Sequence, residues 1–324
     1  MTQIDPILTT PERLDVAGVR SESTTFAWAD LGIFCKTGIV KLVTVTSGVG
    51  FVMAALGRNW DVLDLVIKAS ACLIGTALTA AGANALNQVM EARRDGLMKR
   101  TQSRPLPTGK LSVAAGTLIG LAISLLGLGV LCVGATPWAS LVSAVTIATY
   151  LLWYTPLKTV TPLATIVGAV PGALPPLVGW AAASSGPWGG LTELGGWTLF
   201  AFMFVWQIPH FLALAWKYRH DYAAGGYPVL PAVDPGGERT AWVTLTWSIA
   251  LIPVSLSPVA AMPQLLGVLY ISVAVLAGAW FLWAAIKMAR LRTDHSARAV
   301  FLASIAYLPL VMLTMVADAL LHRL

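Results

Sequence analysis

Long apolar segments recur along almost the whole chain, and they constrain its fold more than any other feature. A helix needs about 20 mostly apolar residues to cross the hydrocarbon core of a bilayer. Nine segments of the 324 residues meet this requirement, near 36–57, 62–86, 111–132, 136–155, 162–183, 196–217, 241–260, 264–287 and 299–320. We therefore predict an all-α fold, a polytopic membrane bundle of about nine transmembrane helices.

The composition excludes a soluble protein. Hydrophobic residues make up 57% of the chain, charged residues only 11%, and the mean hydropathy is +0.75. Soluble domains carry about 25% charged residues, because water must solvate their surface. The net charge of +6 does not indicate nucleic-acid binding, since the basic residues lie in short loops between apolar segments. The expected large partner is the lipid bilayer.

The distribution of lysine and arginine predicts the orientation. The connections after spans 3, 5 and 7 contain neither residue. Basic residues are concentrated in the connections after spans 2, 4, 6 and 8, at Arg93, Arg94, Lys99, Arg100, Arg104, Lys110, Lys158, Lys217, Arg219, Arg239, Lys287, Arg290, Arg292 and Arg298. Cytoplasmic loops carry such an excess. We expect a multi-pass protein of the inner (plasma) membrane with these loops and the N-terminus in the cytoplasm.

The polar N-terminal segment differs from the rest of the chain. It contains several acidic residues and resembles neither a secretory signal nor a transit peptide. We expect residues 1–35 to be a flexible cytoplasmic tail and residues 36–324 to form one transmembrane bundle. Cys35, Cys72 and Cys132 lie in apolar stretches without metal-ligand spacing, which indicates small buried residues.

The first candidate site lies where span 2 ends. Asn87, Glu91 and Asp95 are four residues apart, so their oxygens share one helix face. Ionisable groups at the end of a span are costly, which favours a functional role. Hard oxygen ligands of this kind suit Mg²⁺, which is commonly shared with substrate phosphates.

Basic residues directly follow this acidic face. Arg94 and Arg104 lie within a turn or a short loop of the carboxylates, and guanidinium groups bind phosphate oxygens well. The alternative is a solvated helix end with ordinary salt bridges and topogenic charges.

A second candidate site lies at the end of span 6, on the same predicted side. Lys217 and Asp221 are four residues apart there, and the two charged helix ends could clamp a metal–phosphate group. Pro209 should kink this span beside His210, for which both a ligand role and a packing role remain open. Lys158 is the single charge after span 4, and topology alone could explain it. The glycines and prolines of residues 168–179 should break span 5 and open a cavity.

The motifs resemble those of a known family. Asn87-xxx-Glu91-xxx-Asp95 is similar to the first motif of the UbiA-type intramembrane prenyltransferases. The following Arg-Thr-x-x-Arg-Pro-Leu-Pro run, residues 100–107, is similar to that of one branch, the protoheme IX farnesyltransferases. Further agreement lies at Tyr154-Thr-Pro-Leu-Lys158, at residues 171–180, and from Pro209-His210-Phe through Asp221-Tyr222 to residues 228–231. The resemblance covers roughly residues 36–320.

The resemblance implies nine helices around a central cavity and transfer of a farnesyl group to a vinyl group of protoheme IX (heme B), giving heme O. It implies farnesyl diphosphate and heme B as substrates and Mg²⁺ as cofactor. Heme A synthase or a terminal oxidase assembly is an expected partner. By position, the metal and catalytic candidates are Asn87, Glu91, Asp95 and Asp221, the diphosphate candidates are Arg94, Arg104, Lys158 and Lys217, and the heme candidate is His210.

The sequence departs from the family pattern at two positions. Glu91 stands where aspartate is common, and Gly225 follows Asp221 where many relatives carry a second acid, so the number of metal ions stays open. The nearest alternative is a related prenyltransferase acting on a quinone precursor or another aromatic acceptor. A transporter would be expected to show an internal inverted repeat, which we do not find, and a structural assembly subunit would leave the acidic face unexplained.

Overall fold

The computed structural model describes residues 26–184, 186 and 188–323, and every regular element in them is helical. In chain order these are α1 (Trp28–Phe34), α2 (Thr37–Leu56), α3 (Val62–Asp95), α4 (Val113–Gly134), α5 (Pro137–Ala148), a π-helix (Thr149–Tyr154), α6 (Thr155–Leu157), α7 (Ala164–Ala173), α8 (Pro175–Ala182), α9 (Leu194–Lys217), α10 (Arg219–Ala224), α11 (Leu230–Val233), α12 (Glu238–Ala261), α13 (Val268–Leu291) and α14 (Asp294–Leu321).

Nine helical stretches in these described residues are long and apolar enough to span a membrane. Seven of these are single helices: α2, α3, α4, α9, α12, α13 and α14. The other two are composite, with α5 continuing through the π-helix into α6 and α7 continuing into α8. The predicted polytopic bundle is therefore confirmed, and each predicted span overlaps its helix.

The starts of several spans follow from local sequence. Asp61 accepts hydrogen bonds from the backbone amides of Leu63 and Asp64 at 3.0 and 3.2 Å, which caps α3. Thr136 caps α5 in the same way, and Pro137 occupies the first turn, where its missing N–H is not needed.

Helix α3 is longer than a membrane core is thick, and its last turns carry the first candidate site. Its 34 residues extend about 51 Å at 1.5 Å per residue, whereas the hydrocarbon core is about 30 Å thick. Its last turns, which hold Asn87, Glu91 and Asp95, therefore lie towards one end of the bundle.

The fifth span is broken, as the sequence predicted. Helix α7 ends at Ala173 and α8 begins at Pro175, with Leu174 between them. Pro171 lies inside α7 and removes one backbone donor. The prolines and glycines around this break leave room in the centre of the bundle, where Gly168 and Gly172 line a cavity.

Close helix packing requires glycine where α2 crosses α8. A Cβ atom on Gly179 would fall on the carbonyl oxygen of Ser47, and one on Gly50 would fall on that of Pro176. Small residues let membrane helices approach closely, since dispersion contacts rather than a hydrophobic driving force hold them together.

The segment expected to be a flexible tail is partly folded. Residues 1–25 lie outside the described residues, but Trp28–Phe34 form α1, and Phe34 is fully buried against Ala85 and Leu106. Gln88 donates hydrogen bonds of 2.7 and 2.9 Å to the carbonyls of Ile33 and Phe34. These contacts hold α1 against α3, so residues 28–34 are folded, and the boundary expected at residue 36 stays a prediction.

Two further local features differ from expectation. Cys35 and Cys72 are buried as predicted, but Cys132 is exposed on the outer surface of α4, because it faces the side that lipid would cover. The end of the fourth span is a π-helix, Thr149–Tyr154, which nothing in the sequence indicated. Thr155 stabilises it by donating its hydroxyl to the carbonyl of Tyr150 at 2.8 Å.

Candidate active site

A central cavity of about 310 Å³ lies at the end of the bundle where α3 terminates. Its wall combines one polar side with an extensive apolar and aromatic side. The polar side includes Lys36, Asn84, Asn87, Glu91, Asp95, Arg100, Arg104, Lys158 and Gln207, and the apolar side includes Ile39, Val43, Tyr150, Tyr154, Pro171, Pro175, Phe211, Leu214, Tyr222 and Val229.

The three oxygen-bearing residues of α3 all face this cavity, as their spacing predicted. The solvent-exposed fractions of Asn87, Glu91 and Asp95 are only 1%, 5% and 1%. Buried carboxylates are costly unless cations or hydrogen bonds compensate them.

Each of the three residues is paired with a cation from a different segment. Lys36 Nζ donates to Asn87 Oδ1 at 2.6 Å, and Lys158 Nζ lies 3.1 Å from Glu91 Oε1. Arg104 Nη1 lies 2.6 Å from Asp95 Oδ2. The site is therefore a row of oxygens facing a row of cations, which is suited to a bound anion together with a metal ion.

The second oxygen of Asp95 is the clearest indication that a positive group could bind in this cavity. Asp95 Oδ1 is buried and has no hydrogen-bond partner among the described residues. An unpartnered buried carboxylate oxygen costs free energy, and a cation beside it would remove that cost. The residues present thus fit a hard divalent cation, which favours oxygen ligands.

Lys36 is held in position by an unusual backbone. It precedes α2 with φ at 51°, in the left-handed region that non-glycine residues seldom adopt. A half-buried lysine with a strained backbone that lines a polar cavity is typical of a functional residue.

Lys158 lies among tyrosine rings. Its ammonium is 4.4 Å from the ring centroid of Tyr227, 5.8 Å from that of Tyr222 and 5.9 Å from that of Tyr154. Ring faces attract cations. The three rings therefore fix the ammonium over the cavity.

Arg94 points to a loop. Its guanidinium donates to the carbonyl oxygens of Gly225 and Gly226 at 3.2 and 3.1 Å and lies over the ring of Tyr227. Arg94 thereby joins the end of α3 to the loop after α10. It is not one of the residues lining the cavity, and its predicted diphosphate contact stays a prediction.

Lys217 and Asp221 are less closely associated with the cavity than the sequence suggested. Lys217 is exposed at the end of α9 and lies over the ring of Tyr218. Asp221 is half-buried in α10 and forms no ion pair within the described ranges. In those same residues no three His, Cys, Asp or Glu side chains converge into a metal-holding group. A metal role for Asp221 therefore stays a prediction.

His210 lies between two helices. Its ring stacks on Trp206 and Phe301, with centroids 5.0 and 5.3 Å apart, and its Nδ1 is 2.8 Å from the hydroxyl of Ser304. These contacts pack α9 against α14. His210 is not one of the residues lining the central cavity, so its predicted role as a heme ligand has no geometric support here.

Sequence reasoning missed several lining residues. Lys36 is not among the candidates drawn from the sequence, although a lysine beside an apolar run is itself a signal. Tyr150, Tyr222 and Gln207 also line the cavity. Gln207 donates to the carbonyl of Ala169 at 2.8 Å, and thereby joins α9 to the broken fifth span.

Comparison with known proteins identifies relatives over most of the chain. A model of the UbiA prenyltransferase family matches residues 41–308. The protoheme IX farnesyltransferase of Solibacter usitatus is 41% identical over 291 residues, which cover 87% of this chain and 96% of that protein. The protoheme IX farnesyltransferase of Opitutus terrae is 41% identical over 289 residues, covering 88% and 92%.

Solved structures share the fold. A digeranylgeranylglyceryl phosphate synthase matches with a TM-score of 0.71 at 14% identity, covering 90% of this chain and 98% of that one. A UbiA homologue from Aeropyrum pernix matches with a TM-score of 0.63 at 20% identity, covering 88% and 99%. A UbiA homologue from Archaeoglobus fulgidus bound to GPP and Mg²⁺ matches with a TM-score of 0.54 at 14% identity, covering 88% and 98%.

Proposed function

The chain belongs to the UbiA prenyltransferase family, and from this premise we propose that it transfers a farnesyl group from farnesyl diphosphate to a vinyl group of protoheme IX. The products are heme O and diphosphate. The observation that carries the assignment is the 41% identity to protoheme IX farnesyltransferases across nearly their whole length. The cavity, with its row of acids and cations, is the place where this chemistry would occur.

We propose Mg²⁺ as the cofactor, held by Asn87, Glu91 and Asp95 and shared with the diphosphate. The buried, unpartnered Oδ1 of Asp95 supports this choice. The Archaeoglobus homologue of the same fold binds GPP together with Mg²⁺. The ion, when bound, would supply charge stabilisation to the leaving diphosphate.

The cations of the cavity would hold the diphosphate oxygens. Lys36, Lys158 and Arg104 each face one oxygen-bearing residue of α3. A diphosphate entering beside these residues offers the cations stronger anionic partners. Their charge would then stabilise the diphosphate as it departs, which accelerates the reaction because the stabilisation is greatest in the transition state.

The bond changes follow from this arrangement. The C1–O bond of farnesyl diphosphate breaks, and its electron pair leaves with diphosphate. The vinyl π-electrons of protoheme form the new bond to C1, which leaves a cation on the carbon next to the porphyrin. Water adds to that carbon and loses a proton, giving the hydroxyl of heme O. Apolar wall residues such as Val43, Phe211 and Leu214 would exclude water until the carbon–carbon bond has formed.

The membrane location, the orientation and the partner proteins are also proposals. The concentration of lysine and arginine near the cavity supports a cytoplasmic site and an N-terminus in the cytoplasm, within the inner membrane. A heme A synthase or a terminal oxidase assembly would be the consumer of heme O.

An acceptor-competition assay tests the reaction. Membranes containing the protein are supplied with farnesyl diphosphate, Mg²⁺ and an equal mixture of protoheme and 4-hydroxybenzoate, and products are identified by mass. Farnesylated, hydrated heme is the expected product. Prenylated hydroxybenzoate without heme O would instead establish the related quinone-precursor activity.

A further inference from the structure

Two buried side-chain amides line the deeper part of the central cavity, inward of its row of acids. Asn84 on α3 and Gln207 on α9 are only 4% and 3% exposed. At a rise of 1.5 Å per residue, Asn84 lies about 16 Å from Asp95 along α3, and Gln207 lies about 15 Å from Lys217 along α9. A buried amide costs free energy unless hydrogen bonds compensate it, and a farnesyl chain offers none. The prenyl substrate therefore does not account for these two side chains.

The amide of Gln207 is fixed with its oxygen at the cavity wall. Its Nε2 donates to the carbonyls of Ala169 and Met203 at 2.8 and 3.1 Å, which uses both N–H groups. Its Oε1 accepts no hydrogen bond within the described residues, and protein atoms do not enclose it. A Cβ atom on Gly172, which also lines the cavity, would fall on this oxygen. Gln207 therefore offers the cavity a free hydrogen-bond acceptor in a set orientation.

Asn84 offers a donor to the same cavity. The hydroxyl of Tyr150 donates to Asn84 Oδ1 at 3.4 Å, which turns the Nδ2 group away from that ring. In the part of the chain that the structure describes, Asn84 Nδ2 forms no hydrogen bond. Asn84 therefore presents free N–H groups, whereas Gln207 presents a free oxygen.

A continuous band of contacts connects the two amides around the cavity wall. The rings of Tyr150 and Tyr154 stack, with their centroids 5.7 Å apart. A Cβ atom on Gly168 would lie 2.6 Å from the ring of Tyr154, so this ring packs directly on α7. The next residue of α7 supplies the carbonyl that Gln207 binds. The acceptor and the donor are thus parts of one wall of the same cavity.

The proposed reaction needs a water molecule at one carbon near this wall. The cation formed by attack of the vinyl group lies two bonds from farnesyl C1, and C1 enters the site attached to the diphosphate. The diphosphate is assigned to the row of acids that begins at Asn87, and Asn84 precedes Asn87 by about 4.5 Å along α3. A water molecule held by the amides would therefore lie beside the carbon that must receive it. Without water there, the cation would lose a proton from the adjacent carbon and become an alkene.

We propose, on the basis of the proposed function, that Gln207 and Asn84 hold the water molecule that becomes the hydroxyl of heme O. The water donates one hydrogen bond to Gln207 Oε1 and accepts one from Asn84 Nδ2, and buried waters typically form two to four such bonds. Its other lone pair forms the C–O bond. The resulting oxonium group loses its proton to the departed diphosphate, so no further reactant is needed.

The ratio of two products tests this assignment. Membranes containing the full-length protein are supplied with farnesyl diphosphate, Mg²⁺ and protoheme. Liquid chromatography and mass spectrometry then separate heme O from the alkene, which is lighter by one water molecule. Gln207→Met removes the acceptor at similar side-chain volume, and Tyr150→Phe removes only the hydroxyl that orients Asn84.

Gln88→Met is the matched control. Gln88 on α3 is also buried and also donates to two backbone carbonyls, at 2.7 and 2.9 Å. It is not one of the residues that line the central cavity. Its substitution therefore reproduces the loss of a buried glutamine without touching the water site.

We expect the ratio of heme O to alkene to fall about tenfold in Gln207→Met and about threefold in Tyr150→Phe, because each loses a hydrogen bond that orients the water. The total of farnesylated heme should stay within about twofold of the wild type, since the carbon–carbon bond forms before water adds. Gln88→Met should keep the wild-type ratio even where it lowers the amount of folded protein.

Other results would overturn the assignment. An unchanged ratio in the two cavity variants would show that the water is held elsewhere and that Gln207 only joins α9 to α7. An equal change in Gln88→Met would show that the ratio follows general loosening of the bundle. Tyr150→Phe decides the matter where Gln207→Met does not accumulate in the membrane. A wild type that makes neither farnesylated heme contradicts the proposed function itself.

Discussion

Asp95 accepts a hydrogen bond from Arg104 through Oδ2 at 2.6 Å, while its Oδ1 is buried without a partner among the described residues. One carboxylate oxygen of Asp95 is thus paired with a guanidinium group, and the other has no hydrogen-bond donor among the described residues. Because such an oxygen is costly in a buried site, this asymmetry marks the position where a cation would bind. It also places Arg104 where it could contact both the acid and a diphosphate.

Asp95→Asn should abolish most activity while preserving the shape of the side chain. The amide removes the negative charge that a divalent cation needs, and we expect kcat/KM to fall about 100-fold or more, since metal stabilisation is worth several kcal/mol and about 1.4 kcal/mol is tenfold. The Mg²⁺ dependence of farnesyl diphosphate binding, measured by isothermal titration, should weaken in parallel. Asp64→Asn, at the other end of α3, is the control and should behave as wild type.

Lys36→Gln should weaken the binding of farnesyl diphosphate. Glutamine can still donate to Asn87, but it removes the charge that would meet the diphosphate, so binding should weaken roughly tenfold. Lys41→Gln changes an exposed lysine one turn along α2 and should leave binding unaltered. Equal effects of the two substitutions on binding would contradict a specific role for Lys36.

Arg94→Gln separates two roles for this residue. Loss of its hydrogen bonds to Gly225 and Gly226 should accelerate hydrogen–deuterium exchange of residues 218–229 and lower kcat, because the loop beside the cavity is no longer held. Arg93→Gln, on the exposed side of the same turn, should alter neither. Unchanged exchange together with lost farnesyl diphosphate affinity would show instead that Arg94 contacts the diphosphate.

Gly179→Ala should destabilise the bundle without altering the site chemically. The added Cβ falls on the carbonyl oxygen of Ser47, so α2 and α8 must separate, at a cost of about 1–3 kcal/mol. The expected result is a lower midpoint in thermal unfolding in detergent. Gly129→Ala, whose Cβ meets nothing within 4 Å, should be neutral or slightly stabilising. An unchanged midpoint for Gly179→Ala would mean that the helices are not so closely packed.

Local sequence predicted the parts of this protein that depend on local physics. The spans follow from hydropathy, because no backbone polar group can stay unpaired in lipid and helices satisfy their own. The common face of Asn87, Glu91 and Asp95 follows from helical periodicity, and the break near Leu174 follows from the prolines and glycines around it.

Features that depend on distant contacts were not predictable in the same way. The pairing of Lys36 with Asn87 joins residues 51 positions apart, and that of Lys158 with Glu91 joins residues 67 apart. Arg94 was expected to bind diphosphate because its charge is visible in the sequence, whereas the Gly225 and Gly226 carbonyls that it meets are not. The folding of α1 likewise depends on Gln88, which no local pattern connects to it.

The heme composition of cells shows whether this protein forms heme O. A strain that lacks its own heme O-forming activity is supplied with the wild-type protein or with Asp95→Asn, with Asp64→Asn as control, and extracted hemes are identified by liquid chromatography and mass spectrometry. We expect heme O, or heme A derived from it, with the wild type and Asp64→Asn, and only heme B with Asp95→Asn. Heme B alone in cells with abundant wild-type protein in their membranes would contradict the proposed function.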